Sequence, residues 1–265
     1  MKSHHWTSEL KPQWRLFLLA VSFLTRLKVP AESPSPDELQ SCRRYFPLAG
    51  ALIGVLLALF FSVCSWIFPV FLSISLTLAV GIVLTGGFHE DGLADTLDGI
   101  GGGFSVEKRL EIMKDSRLGS YGGLAISASL LIRFCALLAL TEFVDGVQIG
   151  LIAAAAMSRF AAPLMQVLLP YARIDDSKMH VFKDKPAARD TLIFTLTAIA
   201  IAVVVSGPGA GILCLVGTLV TVVYLRRWFL QRLGGYTGDT LGATQQLTEI
   251  VCYLMIYVWF QLYAT

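Results

Sequence analysis

Residues 46–66 read FPLAGALIGVLLALFFSVCSW, and residues 68–88 read FPVFLSISLTLAVGIVLTGGF. No charged side chain occurs anywhere from Phe46 to Phe88. Each block has the length a helix needs to cross about 30 Å of hydrocarbon, roughly 17 to 25 residues. Pro69 stops one helix from simply continuing into the next, so the two blocks read as a membrane hairpin. Further apolar blocks lie at Gly122 to Thr141, Gly146 to Leu169, Thr191 to Ser206, Ala210 to Leu225 and Leu241 to Tyr263. The run Ser206-Gly207-Pro208-Gly209 punctuates a second hairpin. The fold class expected is all-α: a polytopic integral membrane bundle of about seven transmembrane helices.

Composition agrees. The chain has 265 residues, 55% hydrophobic and 15% charged, against about a quarter charged in a soluble domain. A net charge of +2 leaves no electrostatic footprint for nucleic acid. The five cysteines, Cys42, Cys64, Cys135, Cys214 and Cys252, are isolated, lack zinc-type spacing, and read as packing residues. Basic residues cluster before Phe46 (Arg26, Lys28, Arg43, Arg44), at Lys108 to Arg117, at Arg173 to Arg189 and at Arg226 to Arg232. Counting spans puts every cluster on one side, and the opposite connections have no Lys or Arg. The positive-inside rule makes the clustered side cytoplasmic. The segment Trp14 to Leu27 is short and carries Arg15 and Arg26 without a small-residue cleavage pattern, so it is not a cleaved signal. If it crossed, it would place Lys2, Lys11 and Arg15 outside. It is therefore expected to lie as an amphipathic helix in the cytoplasmic interface, within an N-terminal segment 1–45. No soluble domain or repeat is visible, and residues 1–265 read as one membrane-embedded domain.

Three polar motifs interrupt the apolar pattern. The first, TGGFHEDGLADTLDG (85–99), packs His89, Glu90, Asp91, Asp95 and Asp98 into ten residues. On a helix, Asp91, Asp95 and Asp98 have i, i+4, i+7 spacing and share a face, where three carboxylates repel unless solvated, protonated or bound to a cation. All-oxygen donors without Cys favour magnesium or another hard divalent ion, which keeps waters and also takes substrate phosphate. The bland alternative is a solvated acidic helix end, set against the cost of so many acids at a membrane boundary. His89 reads equally as a structural or a catalytic group. Gly92, Gly99 and Gly101 to Gly103 would loosen the backbone or let amides approach an anion.

The second motif, LEIMKDSRLGSYGG (110–123), places Lys114 and Arg117 before a span. Both suit phosphate oxygens, with positive-inside anchoring as the alternative. The third, GGYTGDTLGA (234–243), opens the last span. Gly238 and Thr240 lie at a helix N-terminus suited to an anion, and Thr237 or Thr240 could cap it. Asp239 conflicts with a bare anion, and a bound metal resolves the conflict. Arg133, Arg159 and Glu249 fall within apolar blocks and are expected to pair in the bundle interior.

Taken together, the three motifs resemble the cobalamin synthase family, the adenosylcobinamide-GDP ribazoletransferases. The segments SFLTRLKVP (22–30) and FPLAG (46–50) are similar to its N-terminal pattern, so the resemblance covers nearly the whole chain. Two positions depart from it: Glu90, where the family has an apolar residue, and Lys28, where a second proline is common. The resemblance implies a phosphotransferase at the cytoplasmic membrane that joins adenosylcobinamide-GDP to alpha-ribazole or its 5'-phosphate. It would release GMP and use Mg2+. It also implies functional segments at 85–123 and 234–249, with metal on Asp91, Asp95, Asp98 and Asp239. Phosphate would be held by Lys114, Arg117, Gly238 and Thr240, and the proton taken by Asp91, Asp95 or His89. The partners are then the two substrates and the lipid bilayer, with no nucleic acid. A homo-oligomer, or a complex with other nucleotide-loop assembly enzymes, is compatible.

Two rival readings remain at this point. A CDP-alcohol transferase spaces aspartates similarly, but the arginine expected after its alanine is absent, because Asp95 follows Ala94. An ion-coupled transporter also uses acids among helices, but here they lie mostly at basic-face loops and helix ends.

Overall fold

The structure, a computed structural model, describes residues 4–28, 34–173 and 184–263. Lys2, Val29, Pro30 and residues 174–183, within the third basic cluster, lie outside them. Among the described residues, ten α-helices follow one another: α1 (His4–Leu24), α2 (Pro36–Cys42), α3 (Phe46–Ser65), α4 (Val70–Thr85), α5 (Phe88–Gly102), α6 (Val106–Ile112), α7 (Ser120–Leu140), α8 (Gly146–Leu168), α9 (Ala188–Leu233) and α10 (Gly238–Tyr263). The 3-10 turn Arg43–Tyr45 joins α2 to α3.

The expected apolar blocks are largely helical. Among the described residues, four helical stretches are by length and composition able to cross a membrane: Pro36–Ser65, Ser120–Leu140, Gly146–Leu168 and Ala188–Leu233. The bent pair α4 and α5 makes a fifth if taken as one span. The block expected to run to Phe88 stops at Thr85, because Gly86 and Gly87 both take left-handed φ (77° and 70°) and turn the chain by 88°. The polar α5 therefore leaves the line of α4. The last block, α10, is 26 residues long but is not among the apolar stretches. Its first half buries Thr244, Gln245, Gln246, Thr248 and Glu249.

The long α9 contains the expected turn. Gly207 is non-helical at φ 80°, ψ 162°. A β-carbon on Gly211 would meet the Ala202 carbonyl at 2.9 Å, whereas nine residues of continuous helix separate positions by about 13 Å. The two arms, 188–206 and 208–233, therefore fold back on each other.

The centre of the bundle is α8, with 72% of its apolar window buried. Its small residues Ala153 to Ala156 admit α3 closely: a β-carbon on Gly54 would lie 2.5 Å from the Ile152 Cα, the small-residue packing that brings membrane helices together. Contacts gather the basic clusters at one end. Arg44 pairs with Asp190 at 2.7 Å, Arg43 donates to Gln166 at 3.2 Å, and Arg109 donates to the Arg232 carbonyl at 3.0 Å. Helix α1 packs at this same end. Its Arg15 bonds Glu38 at 2.6 Å, Phe23 stacks on Phe46 at 5.5 Å, and Leu19, Ala20 and Leu24 join the core. Four of the cysteines pack as expected, and Cys135 is exposed.

Candidate active site

The first and third motifs meet where α5 crosses α10. The crossing depends on two glycines: a β-carbon on Gly92 would be 2.7 Å from the Asp239 carbonyl oxygen, and one on Gly242 would be 3.1 Å from the His89 carbonyl oxygen. Backbone therefore lies on backbone. This is a packing role for Gly92, whereas the sequence suggested a loosened loop; Gly101 and Gly102 likewise complete α5. The close approach sets Asp95 against Asp239.

The three aspartates of α5 differ in environment along their shared face. Asp91 is exposed, Asp95 half-buried and Asp98 buried. Burial, with the neighbouring carboxylates of Asp239 and then Asp91, pushes the Asp95 carboxyl up to about 7; Arg173 opposes this only in part. A carboxyl so raised is one that a cation would return to its ionised form.

Asp98 is used differently from the metal ligand expected. Its two oxygens accept the amides of Gly119 and Gly122, each at 2.8 Å. These lie at the start of α7, where helix amides have no partner within the helix, so Asp98 caps α7 and fixes the second motif against the first. Thr240 is committed in the same way. Its Oγ1 accepts the Thr237 amide at 2.8 Å, while its own amide donates to Thr237 Oγ1 at 3.3 Å, a reciprocal cap on α10. Gly238 lines a cavity beside it with His89, Phe23, Phe46, Phe88 and Gln166. His89 is buried, and its Nδ1 has no hydrogen-bond partner among the described residues.

Of the expected phosphate ligands, Arg117 lies outermost. It forms a two-pronged pair with Asp115, Nε at 3.0 Å and Nη2 at 2.5 Å, which holds the exposed Asp115 carboxyl down to about 2. Lys114 instead lines a groove with Arg173. Arg173 is the residue that the sequence reading passed over as one of the topological positive charges. Its Nη2 donates to Asp239 Oδ2 at 2.7 Å. It is held there because Ala172 donates to the Tyr236 carbonyl at 2.8 Å and Tyr236 donates to the Pro170 carbonyl at 2.9 Å. No spacing rule connects positions 173 and 239.

Among the described residues, no three His, Cys, Asp or Glu side chains converge closely enough to hold a metal by themselves. The donor chemistry still suits magnesium, which binds through one or two carboxylates and completes its shell with water and phosphate. Asp91, Asp95 and Asp239 are the carboxylates available for this, with Asp98 engaged by α7.

Below the site, Arg133, Arg159 and Glu249 pair as expected. Glu249 accepts from Arg133 Nη2 at 2.8 Å, Arg159 Nη1 at 2.8 Å and the Tyr253 hydroxyl at 3.0 Å. Glu90 joins them, pairing with Arg133 at 3.2 Å and accepting from Gln246 at 3.0 Å. Glu90, one of the two positions that depart from the family pattern, thus takes part in a largely buried ion pair.

The comparisons with known proteins agree along nearly the whole chain. The family model for cobalamin-5-phosphate synthase matches residues 16–257. A Shewanella amazonensis protein named adenosylcobinamide-GDP ribazoletransferase is 42% identical over 262 residues, covering 96% of this chain and 99% of its own. Proteins of the same name from Vibrio cholerae and Leptothrix cholodnii are 40% and 44% identical, covering 95% and 93% of this chain and 97% of each relative. No solved structure matches it. On the family model and these relatives, the chain belongs to the cobalamin-5-phosphate synthase family.

Proposed function

We propose that the protein is a magnesium-dependent adenosylcobinamide-GDP ribazoletransferase of the cytoplasmic membrane, its active site facing the cytoplasm. The observation that carries this reading is the crossing of α5 and α10 at Gly92 and Gly242, which sets Asp91 and Asp95 beside Asp239 and Arg173. The orientation is supported by the basic clusters, which gather at the same end as these acids.

In this reading, a ribose hydroxyl of alpha-ribazole, or of its 5'-phosphate, attacks the phosphorus that bears the cobinamide. A new P–O bond forms, the diphosphate P–O bond breaks, and GMP leaves. One or two of Asp91, Asp95 and Asp239 would hold magnesium, which when bound offsets the negative charge on the diphosphate oxygens. Lys114 and Arg173 neutralise phosphate charge from the other side. Asp98 holds α7 in place by its two amide bonds. The hydroxyl proton passes to one of the α5 carboxylates or to His89, whose buried Nδ1 lacks a partner among the described residues.

The test uses the purified full-length protein in detergent or liposomes with adenosylcobinamide-GDP and alpha-ribazole, following GMP and cobalamin by chromatography. Both products should form with magnesium and cease with chelator. Asp91→Asn and Asp95→Asn should insert normally and lose turnover. Full turnover in both variants would remove these aspartates from the site, and the lack of either product from well-folded wild-type protein would overturn the function.

A further inference from the structure

A groove of about 390 Å³ runs between α6 and residues 172–173, lined by Val106, Glu107, Leu110, Glu111, Lys114 and Arg173. We infer that it seats the guanosine monophosphate part of the donor, with Glu107 accepting from the guanine edge and Lys114 and Arg173 holding the phosphates. The inference rests on the reading that the donor is a guanosine diphosphate ester, and assigns that moiety a place.

Three observations converge. The groove joins the carboxylate site, because Arg173 in its wall is the residue bonded to Asp239 at 2.7 Å. A diphosphate at Arg173 therefore lies beside the acids, with the nucleoside extending away along α6. Next, α6 sets out complementary groups in order. Glu107 and Glu111 stand about one turn apart on α6, and Lys114 follows just past its end, so carboxylate and ammonium lie towards opposite ends of the groove wall. That suits a nucleoside 5'-phosphate reaching from base edge to phosphorus. Between them, Val106 and Leu110 offer apolar surface to a flat base, and the volume falls in the range of small-ligand pockets.

The third observation concerns which carboxylate is available. Glu111 pairs with Lys108 at 2.9 Å, whereas Glu107 makes no ion pair among the described residues and accepts only from the Ser105 side chain and its own backbone, neutral bonds that leave its charge uncompensated. An ionised carboxylate only accepts hydrogen bonds. Guanine presents two adjacent donors, N1–H and the 2-amino group, which one carboxylate takes together. Adenine presents an acceptor at N1, which the carboxylate repels. The groove should therefore prefer guanine to adenine by charge and hydrogen-bond pattern. Arg117, paired outward to Asp115, takes no part.

Full-length protein in nanodiscs, with magnesium present, would be titrated calorimetrically with GMP and AMP. Wild type should bind GMP at least tenfold more tightly than AMP. Glu107→Gln should bring the two within about threefold, while Glu111→Gln leaves the preference intact. Lys114→Ala should weaken both nucleotides alike, with the ratio unchanged. If wild type performs the transfer but Glu107→Gln, with an unchanged thermal midpoint, keeps the full preference, the groove assignment is wrong and the function stands. If wild type neither transfers nor prefers GMP, both fall.

Discussion

Gly92→Ala tests whether the crossing of α5 and α10 sets the geometry of the acids. The added methyl would sit 2.7 Å from the Asp239 carbonyl oxygen and 3.1 Å from its Cα. Ordinary contact begins near 3.4 Å, so α5 must move away by about 0.7 Å, and backbone at both sides leaves no flexible side chain to yield. Overpacking of this kind costs about 1–3 kcal/mol. The larger consequence is for turnover, since displacement of catalytic groups by about 1 Å can cost on the order of 100-fold. We expect Gly92→Ala to insert and fold with a lowered thermal midpoint, and kcat/KM for transfer to fall on the order of 30-fold. Gly242→Ala, whose methyl would meet the His89 carbonyl oxygen at 3.1 Å, should lose several-fold less. Gly123→Ala serves as the control, because nothing among the described residues lies within 4 Å of its added methyl. It should leave turnover unchanged. A folded Gly92→Ala protein with turnover within twofold of wild type would refute the view that this crossing aligns the site.

The remaining predictions separate the roles of individual groups. Asp95, raised to about 7 from an ordinary value of 3.8, keeps a proton in the folded protein that the unfolded chain releases. Stability without metal should thus fall as pH rises from about 4 through about 7. Magnesium should then raise the thermal midpoint more at pH 8 than at pH 5.5, and Asp95→Asn should flatten both dependences; an equal magnesium effect at both pH values would contradict this. Asp98→Ala should cost about 1–2 kcal/mol of stability through the lost cap on α7, read as a lower midpoint, whereas Asp91→Asn should lose turnover with its midpoint preserved. Glu249→Gln leaves Arg133 and Arg159 with too little compensating charge and should destabilise by about 3–5 kcal/mol. Glu90→Leu, which leaves Arg133 its 2.8 Å bond to Glu249, should cost less in the same denaturation assay.

Much was legible in the sequence because it depends on neighbours along the chain. Unbroken apolar runs announce helices in lipid, the Ser206 to Gly209 punctuation marks a hairpin, and the i, i+4, i+7 spacing of Asp91, Asp95 and Asp98 sets them on one face of α5. Intramembrane charges announce partners because isolation in lipid is costly, and Arg133, Arg159 and Glu249 were found that way. What remained hidden depends on how helices distant in sequence pack. Only the tertiary structure pairs Arg173 with Asp239, 66 residues apart, and turns Asp98 to the amides of α7. The same packing draws Glu90 into the ion pairs below. Helical periodicity states which side chains share a face, but not which helix that face will meet. That choice rests on where backbones approach most closely, and here Gly92 and Gly242 decide it.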